Sequence, residues 1–376
     1  MRIGFDAKRA FFNSTGLGNY SREVIAAMME LHRDENYFLY SSKKPRKNSP
    51  QFLPQDSDAR LITAGVRLPA VWRSWGMTAD WRRNELDLYH GLSNEIPFSS
   101  HRTDRVKRIV TIHDLIFLRY PKYYPRFDRR MYRFKSHYAC RYAHKLICVS
   151  EQTARDVQEF YHTETERIEI IPPIINEIFY RKSSGDEISK LKNKFSLPER
   201  FWVSVGTIEE RKNLISAVKA LLLLPEKDRL PIVVVGHKAR HWQKVEALLK
   251  KKNLHHLILH LPQISSADLP ALYKSSIAAL YPSLYEGFGI PVAEALASGT
   301  PVIASASSSV PEAAGGGGLL VNPNKADEIA DAMSQLLSSE TKRNELIATG
   351  KKHVQQFRRG VVAEKIRQVY TATVGK

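Results

Sequence analysis

The chain has 376 residues, 43% hydrophobic and 26% charged, a globular composition long enough to bury two cores and unlike a disordered or fibrous protein. Its net charge of +18 points to an anionic partner, whether nucleic acid, an anionic membrane face or an anionic small molecule. No run approaches the ~20 apolar residues that cross a bilayer, and two cysteines, Cys140 and Cys148, suit a reduced cytoplasmic protein rather than a disulfide scaffold.

In chain order, Arg2 to Phe5 reads as a strand that meets Asp6 at once, not as a cleavable signal. A glycine turn, Thr15-Gly16-Leu17-Gly18, leads into a helix over about Asn19 to Leu31. Strands are predicted at Tyr37 to Tyr40, Leu86 to Tyr89, Arg108 to Ile112 and Lys145 to Val149. Pro172 and Pro173 mark a hinge, and Arg181 to Lys194 reads as a polar surface helix. The same grammar then restarts, with strands at Phe201 to Val205, Pro231 to Val235, Leu257 to Leu261, Ala278 to Tyr281 and Pro301 to Ala304, separated by helices such as Leu214 to Leu224 and Pro291 to Ala297. Gly315 to Gly318 reads as a flexible loop. Strands alternating with helices imply parallel sheets covered on both faces. The expected fold is therefore α/β, two facing Rossmann-like domains over residues 1–175 and 176–356. Ligands of such sheets bind beyond the carboxyl ends of the strands.

Chemistry concentrates after the strand ending at Tyr281. Glu286 precedes a Gly287-Phe288-Gly289 loop, where backbone amides approach a ligand closely. Pro291 suits the start of a helix whose N-terminus favours anions, and Glu294 lies in its first turn. The two carboxylates suit the hydroxyls of a sugar and a ribose. Arg211 and Lys212 offer cations for a pyrophosphate, although a solvated basic turn is an equally open reading. His113 at a strand end could bond a sugar hydroxyl, with Asp114 orienting it or capping the turn.

Glu286, seven intervening residues and Glu294 around Gly-Phe-Gly resemble the signature of retaining family-four glycosyltransferases with the GT-B fold. The resemblance spans nearly the whole chain. Gly16 and Gly18 match that family's N-terminal glycine loop against the donor phosphates. Thr111-Ile112-His113-Asp114 is similar to its strand-end His-Asp, and Val149-Ser150-Glu151-Gln152-Thr153 to the segment closing its first domain. Val205-Gly206-Thr207 through Arg211-Lys212-Asn213 resembles its phosphate clamp, and Pro311-Glu312 and Val321-Asn322-Pro323 match later landmarks. Thr207 stands where some members carry arginine, Pro173-Ile174 replaces the usual Asn-Gly, and Phe357-Arg358-Arg359 lacks the common tryptophan.

The resemblance implies a donor cleft between the domains and a final segment, 357–376, packing back on the first. It also implies a front-face retaining transfer that needs a cradle for phosphate charge more than a protein base. Catalytic roles fall to His113, Glu286, Arg211 and Lys212. Donor binding falls to Gly16, Gly18, Gly206, Thr207, Ile264, the Gly287-Phe288-Gly289 loop and Glu294, with no metal or cofactor. The His113-Asp114-Leu115 and Gly206-Thr207 contexts resemble the mannosyltransferase-like branch of bacterial surface polysaccharide biosynthesis. GDP-mannose is the expected donor and a glycan or polyprenyl-linked saccharide the acceptor. A UDP-sugar with a soluble acceptor is the alternative. A nucleic-acid-binding protein is the rival from another class, but no zinc finger, helix-turn-helix or RNP pattern supports it.

Asp56-Ser57-Asp58, a metal-site look-alike, follows no apolar strand and reads as a solvated loop. Between Arg102 and Lys145 there are 13 Lys and Arg against three acids. Read as a helix, Arg126 to Lys145 places Arg126, Arg129, Arg130, Arg133 and Arg141 on one face, expected to dock on anionic lipid heads or the pyrophosphate of a lipid-linked acceptor at the inner face of the cytoplasmic membrane. The adjoining stripe, Phe127, Met131, Phe134, Tyr138 and Tyr142, is expected to pack into the core.

Overall fold

The computed structural model describes residues 1–54, 58–65, 68–99, 105–239 and 241–375. Asp56 and Ser57 of the metal-site look-alike, Arg102 and Asp104 of the basic stretch and the terminal Lys376 lie outside them. The chain divides into two compact units, one of Met1–Ile174 with Phe357–Lys376, the other of Ile175–Gln356.

Unit 1 holds β1 (Arg2–Asp6), β2 (Asn36–Ser41), β3 (Arg60–Thr63), β4 (Leu88–Gly91), β5 (Lys107–Ile112), β6 (Lys145–Cys148) and β7 (Ile168–Ile170). Their order in the sheet is β3-β2-β1-β4-β5-β6-β7. Unit 2 holds β8 (Trp202–Val205), β9 (Ile232–Val235), β10 (Ile258–Leu261), β11 (Ala279–Tyr281), β12 (Val302–Ser305) and β13 (Gly318–Val321), ordered β10-β9-β8-β11-β12-β13. Neighbouring strands pair in parallel throughout. Both faces of such a sheet are covered, so central strands read as continuous apolar runs. Ile232-Val-Val-Val235 is one, fully buried. Strand order reverses direction between β1 and β4 in unit 1 and between β8 and β11 in unit 2. Crevices form at such switch points because the flanking connections leave on opposite faces.

Each unit has its own core. Trp81, Tyr89, Val110 and Leu146 pack together in unit 1, and Trp202, Leu221, Ile232 and Leu280 in unit 2. Burying each such aliphatic side chain contributes about 1.5–3 kcal/mol. The Arg359–Val374 helix belongs to unit 1. Its Arg359 pairs with Glu23 at 2.8 Å and Glu30 at 2.7 Å on the Gly16–Leu31 helix, and its Tyr370 hydroxyl meets His90 Nδ1 at 2.6 Å.

Three expectations are corrected. Gly16 and Gly18 do not form a loop; they lie in the first turn of the Gly16–Leu31 helix. A Cβ at Gly18 would stand 1.9 Å from the Asn13 carbonyl oxygen, so close packing within unit 1 accounts for that glycine. Gly318, assigned to a flexible loop, opens β13 at the sheet edge.

The third correction concerns the basic helix, Arg126–Tyr142. Its buried residues are Ser136, Ala139 and Cys140, small side chains that let the helix lie close to the sheet. The aromatic stripe points away from them, roughly opposite at about 100° per residue. Phe127 is 73% exposed and Phe134 63%, Met131 is exposed, and only Tyr138 and Tyr142 are half-buried.

Candidate active site

In unit 2 the switch point brings two distant loops together. β8 and β11 pair through Val203 and Ala279, so the loops leaving them emerge side by side. One carries Gly206, Thr207 and the Glu210–Lys212 turn. The other runs from Tyr281 to Gly289. The Leu284 amide donates to the Arg211 carbonyl at 2.8 Å, and Asn213 Nδ2 donates to the carbonyls of Pro282 at 3.2 Å and Pro323 at 2.6 Å.

Glu286 is held between the two cations. Arg211 Nη1 lies 2.6 Å from its Oε2 and Lys212 Nζ 2.7 Å from its Oε1. Burial alone would raise this carboxyl, but Lys212 and Arg211 outweigh it and hold it at about 2. Lys212 is pulled down by burial against the attraction of Glu286, and its Nζ also donates to the Tyr281 hydroxyl. For Arg211, burial is overcome by Glu286 and the guanidinium stays charged.

The loop around Glu286 is pinned from the β12 side. Ser308 Oγ accepts from the Glu286 amide at 3.0 Å, and Ser309 Oγ lies 2.9 Å from the Glu286 carbonyl and 3.0 Å from that of Phe288. The Phe288 ring is buried, so only its backbone serves the loop. Gly289 has φ +110° and caps the Ile290–Ala297 helix, a conformation that strains any other residue. Pro291 is the second residue of that helix, so its missing N–H leaves no bond unmade.

Glu294, on the same helix, behaves oppositely to Glu286. Burial pushes its carboxyl up to about 7, with the Tyr273 hydroxyl and Lys212 opposing; the Tyr273 hydroxyl stands 3.5 Å from Oε2. One carboxylate is firmly ionised and its neighbour titrates near neutrality, which separates their chemical roles. Ile264 follows β10, the edge strand, which β9 separates from β8.

In unit 1, His113 follows β5. Its Nε2–H donates to the Leu92 carbonyl at 2.9 Å, its amide donates to Asn94 Oδ1 at 2.7 Å, and Tyr20 meets the ring edge-on at 4.6 Å. Burial lowers it to about 4, so the imidazole is neutral, with Nδ1 as the acceptor. Asp114 Oδ1 accepts from the Ile116 amide at 3.1 Å, a bond that caps the turn.

Sequence reasoning missed Ser308, Ser309, Tyr273 and the Tyr281 hydroxyl as parts of the site. A run of serines before Pro311 carries no signal alone; only the pairing of β11 with β12 brings it under Glu286.

The glycosyl transferases group 1 family matches residues 186–353, and glycosyltransferase family 4 matches residues 15–177. The O-antigen chain mannosyltransferase B of Escherichia coli is 28% identical over 372 residues, covering 95% of this chain and 96% of that one. Sucrose-phosphate synthase from Thermosynechococcus elongatus superposes with TM-score 0.78 at 20% identity, over 100% of this chain and 99% of the other. The Anabaena protein HepE, solved in complex with UDP, superposes with TM-score 0.74 at 17% identity, over 99% and 100%.

Proposed function

The chain belongs to the GT-B glycosyltransferases, and on that premise we propose that it moves mannose from GDP-mannose to a glycan or polyprenyl-linked saccharide with retention of anomeric configuration. It is a hexosyltransferase of polysaccharide biosynthesis that takes a nucleotide-sugar donor and a glycan acceptor. The observation that carries the proposal is the Arg211–Glu286–Lys212 cluster at the β8/β11 switch point.

The donor pyrophosphate draws Arg211 and Lys212 away from Glu286, because a doubly charged phosphate competes well with one carboxylate for two cations. The freed Glu286 accepts hydrogen bonds from the hexose hydroxyls. As the sugar–phosphate bond breaks, charge grows on the leaving oxygen, and the two cations with the N-terminus of the Ile290–Ala297 helix stabilise it. The incoming hydroxyl gives its proton to that phosphate. Glu294 accepts from the ribose, and neutral His113 accepts a sugar hydroxyl at Nδ1. The phosphate cradle is cationic, so the reaction is proposed to need no metal.

Among the described residues, no helix is long and apolar enough to cross a membrane. Arg126, Arg129, Arg130, Arg133 and Arg141, with Phe127, Met131 and Phe134 exposed beside them, support a peripheral docking face for anionic lipid at the cytoplasmic membrane.

The test is thermal stabilisation by a panel of GDP- and UDP-sugars, followed by NMR of the product anomer. A bound donor raises the melting temperature. GDP-mannose should give the largest shift and an α-linked product. A larger shift with a UDP-sugar would move the donor to the UDP class, which the UDP-bound neighbour keeps in view. An inverted product would overturn the front-face mechanism.

A further inference from the structure

A chain of buried polar groups runs through unit 1 and ends on His113. It starts at Tyr370, on the Arg359–Val374 helix. The Tyr370 hydroxyl lies 2.6 Å from Nδ1 of His90 on β4, although the two residues are 280 positions apart. His90 Nε2 lies 2.8 Å from Oγ1 of Thr111 on β5, and that oxygen lies 3.0 Å from the hydroxyl of Tyr20 on the Gly16–Leu31 helix. The Tyr20 ring then meets the His113 imidazole edge-on, with centroids 4.6 Å apart and planes at 88°. Tyr20, His90, Thr111 and Tyr370 are all buried.

Central strands of a sheet covered on both faces are normally continuous apolar runs. His90 and Thr111 interrupt those runs in β4 and β5. Phe5 walls the chain in, 6.0 Å from the His90 ring and 6.5 Å from that of Tyr370. Burial holds His90 neutral, down at about 3. A neutral imidazole has one donor and one acceptor, so His90 accepts from the hydroxyl on one side and donates to the one on the other. Neither neighbour can turn away without leaving a buried ring nitrogen unpaired. Polar chains paired in this way inside a dry core make their surroundings rigid.

The loop after β4 supplies a second hold on the His113 ring, the Leu92 carbonyl that accepts its Nε2–H at 2.9 Å. A single hydrogen bond leaves a ring free to tilt about it, and the edge-on contact with Tyr20 limits that tilt. We propose that Tyr370, His90, Thr111 and Tyr20 are positioning residues for His113, a relay that fixes the tilt of its imidazole and so the direction in which Nδ1 meets a sugar hydroxyl. The inference rests on the role given to His113 in the transfer. Through this relay the last helix of the chain takes part in the reaction while acting only through other residues.

The experiment compares wild type with Tyr20→Phe and Tyr370→Phe, which each remove one oxygen and keep the ring. Arg359→Gln is the control, loosening the same helix at its pairs with Glu23 and Glu30. One readout is the NMR signal of the His113 Cε1–H in protein carrying isotope-labelled histidine, assigned from its absence in His113→Ala. The other is turnover of GDP-mannose with mannotriose as acceptor probe. In both Phe variants the His113 signal should move or split and kcat should fall at least about tenfold, since small misplacements cost rate. The Kd for GDP should stay within about twofold. Arg359→Gln should lower the melting temperature and leave the signal and kcat unchanged. If Tyr370→Phe does not fold, Tyr20→Phe decides. An unmoved His113 signal or an unchanged kcat in the folded Phe variants overturns the proposal. So does an equal change in Arg359→Gln, which would make the chain a support of the fold alone. Full turnover in His113→Ala would instead strike the role of His113 itself, a separate result. Where wild type leaves GDP-mannose untouched, the donor reading fails and the His113 signal alone decides.

Discussion

Lys212 Nζ stands 2.7 Å from Glu286 Oε1, joining the loop after β8 to the loop after β11 and placing a buried carboxylate where an anionic donor would find its cations. Breaking a buried pair leaves an uncompensated charge, at about 3–5 kcal/mol. The contact therefore has both a stabilising and a chemical role.

Glu286→Gln keeps the shape and removes the charge. Turnover should fall by about two to three orders of magnitude, the effect of losing about 2.7–4 kcal/mol of transition-state stabilisation. Glu286→Ala should also lower the melting temperature, because Arg211 and Lys212 lose their shared partner. The checks are single-turnover rates and calorimetry. A Gln variant with near-normal turnover removes Glu286 from the chemistry.

Glu286 and Glu294 predict opposite pH dependences. Glu286, held at about 2, stabilises the fold fully above the ordinary carboxyl range and less as pH falls towards 2. Glu294, pushed up to about 7, does the reverse. Its contribution is fully present below the unfolded carboxyl value and is lost as pH rises to about 7, because the unfolded chain ionises first. Glu294→Gln should therefore flatten the stability curve between about pH 4.5 and 7. Affinity for GDP should tighten from pH 6 to 8 in the wild type, as the ionised carboxylate accepts from ribose hydroxyls, and stay level in the variant. Isothermal titration at three pH values decides it.

Chelation provides a third check. With Arg211 and Lys212 serving the phosphates, transfer should persist in excess EDTA, while Lys212→Ala weakens GDP binding together with turnover. Loss of all activity in EDTA, restored by Mg²⁺ or Mn²⁺, would refute the cationic cradle.

The Arg126–Tyr142 helix predicts two kinds of lipid contact. Each arginine near an anionic surface contributes about 1 kcal/mol and is screened by salt. Insertion of the exposed Phe127 and Phe134 resists salt. Changing Arg126, Arg129, Arg130 and Arg133 together to Glu should abolish co-sedimentation with phosphatidylglycerol vesicles. Phe127→Ser with Phe134→Ser should leave binding at low salt but remove what persists at high salt. Wild-type protein that ignores the vesicles at low salt would end the membrane reading.

Much of the fold was legible locally. Apolar runs such as Ile232 to Val235 mark buried parallel strands without reference to anything distant. Ser184 and Glu187 form a reciprocal capping box at the start of the Gly185–Phe195 helix, a signal contained within four residues. The Glu286 to Glu294 spacing around Gly-Phe-Gly was equally readable, because strand end, loop and helix start are consecutive in the chain. Tertiary structure alone decided which side chains meet across strands. Arg211 and Lys212 reach Glu286 only because β8 lies beside β11, and His90 meets Thr111 only because β4 lies beside β5. It also decided which face of the Arg126–Tyr142 helix turns inward. Periodicity shows that the aromatics share a stripe, but not that the sheet beneath leaves room only for Ser136, Ala139 and Cys140. Close packing between a helix and a sheet selects by size as well as by polarity, and the available space is a property of the sheet, not of the helix sequence.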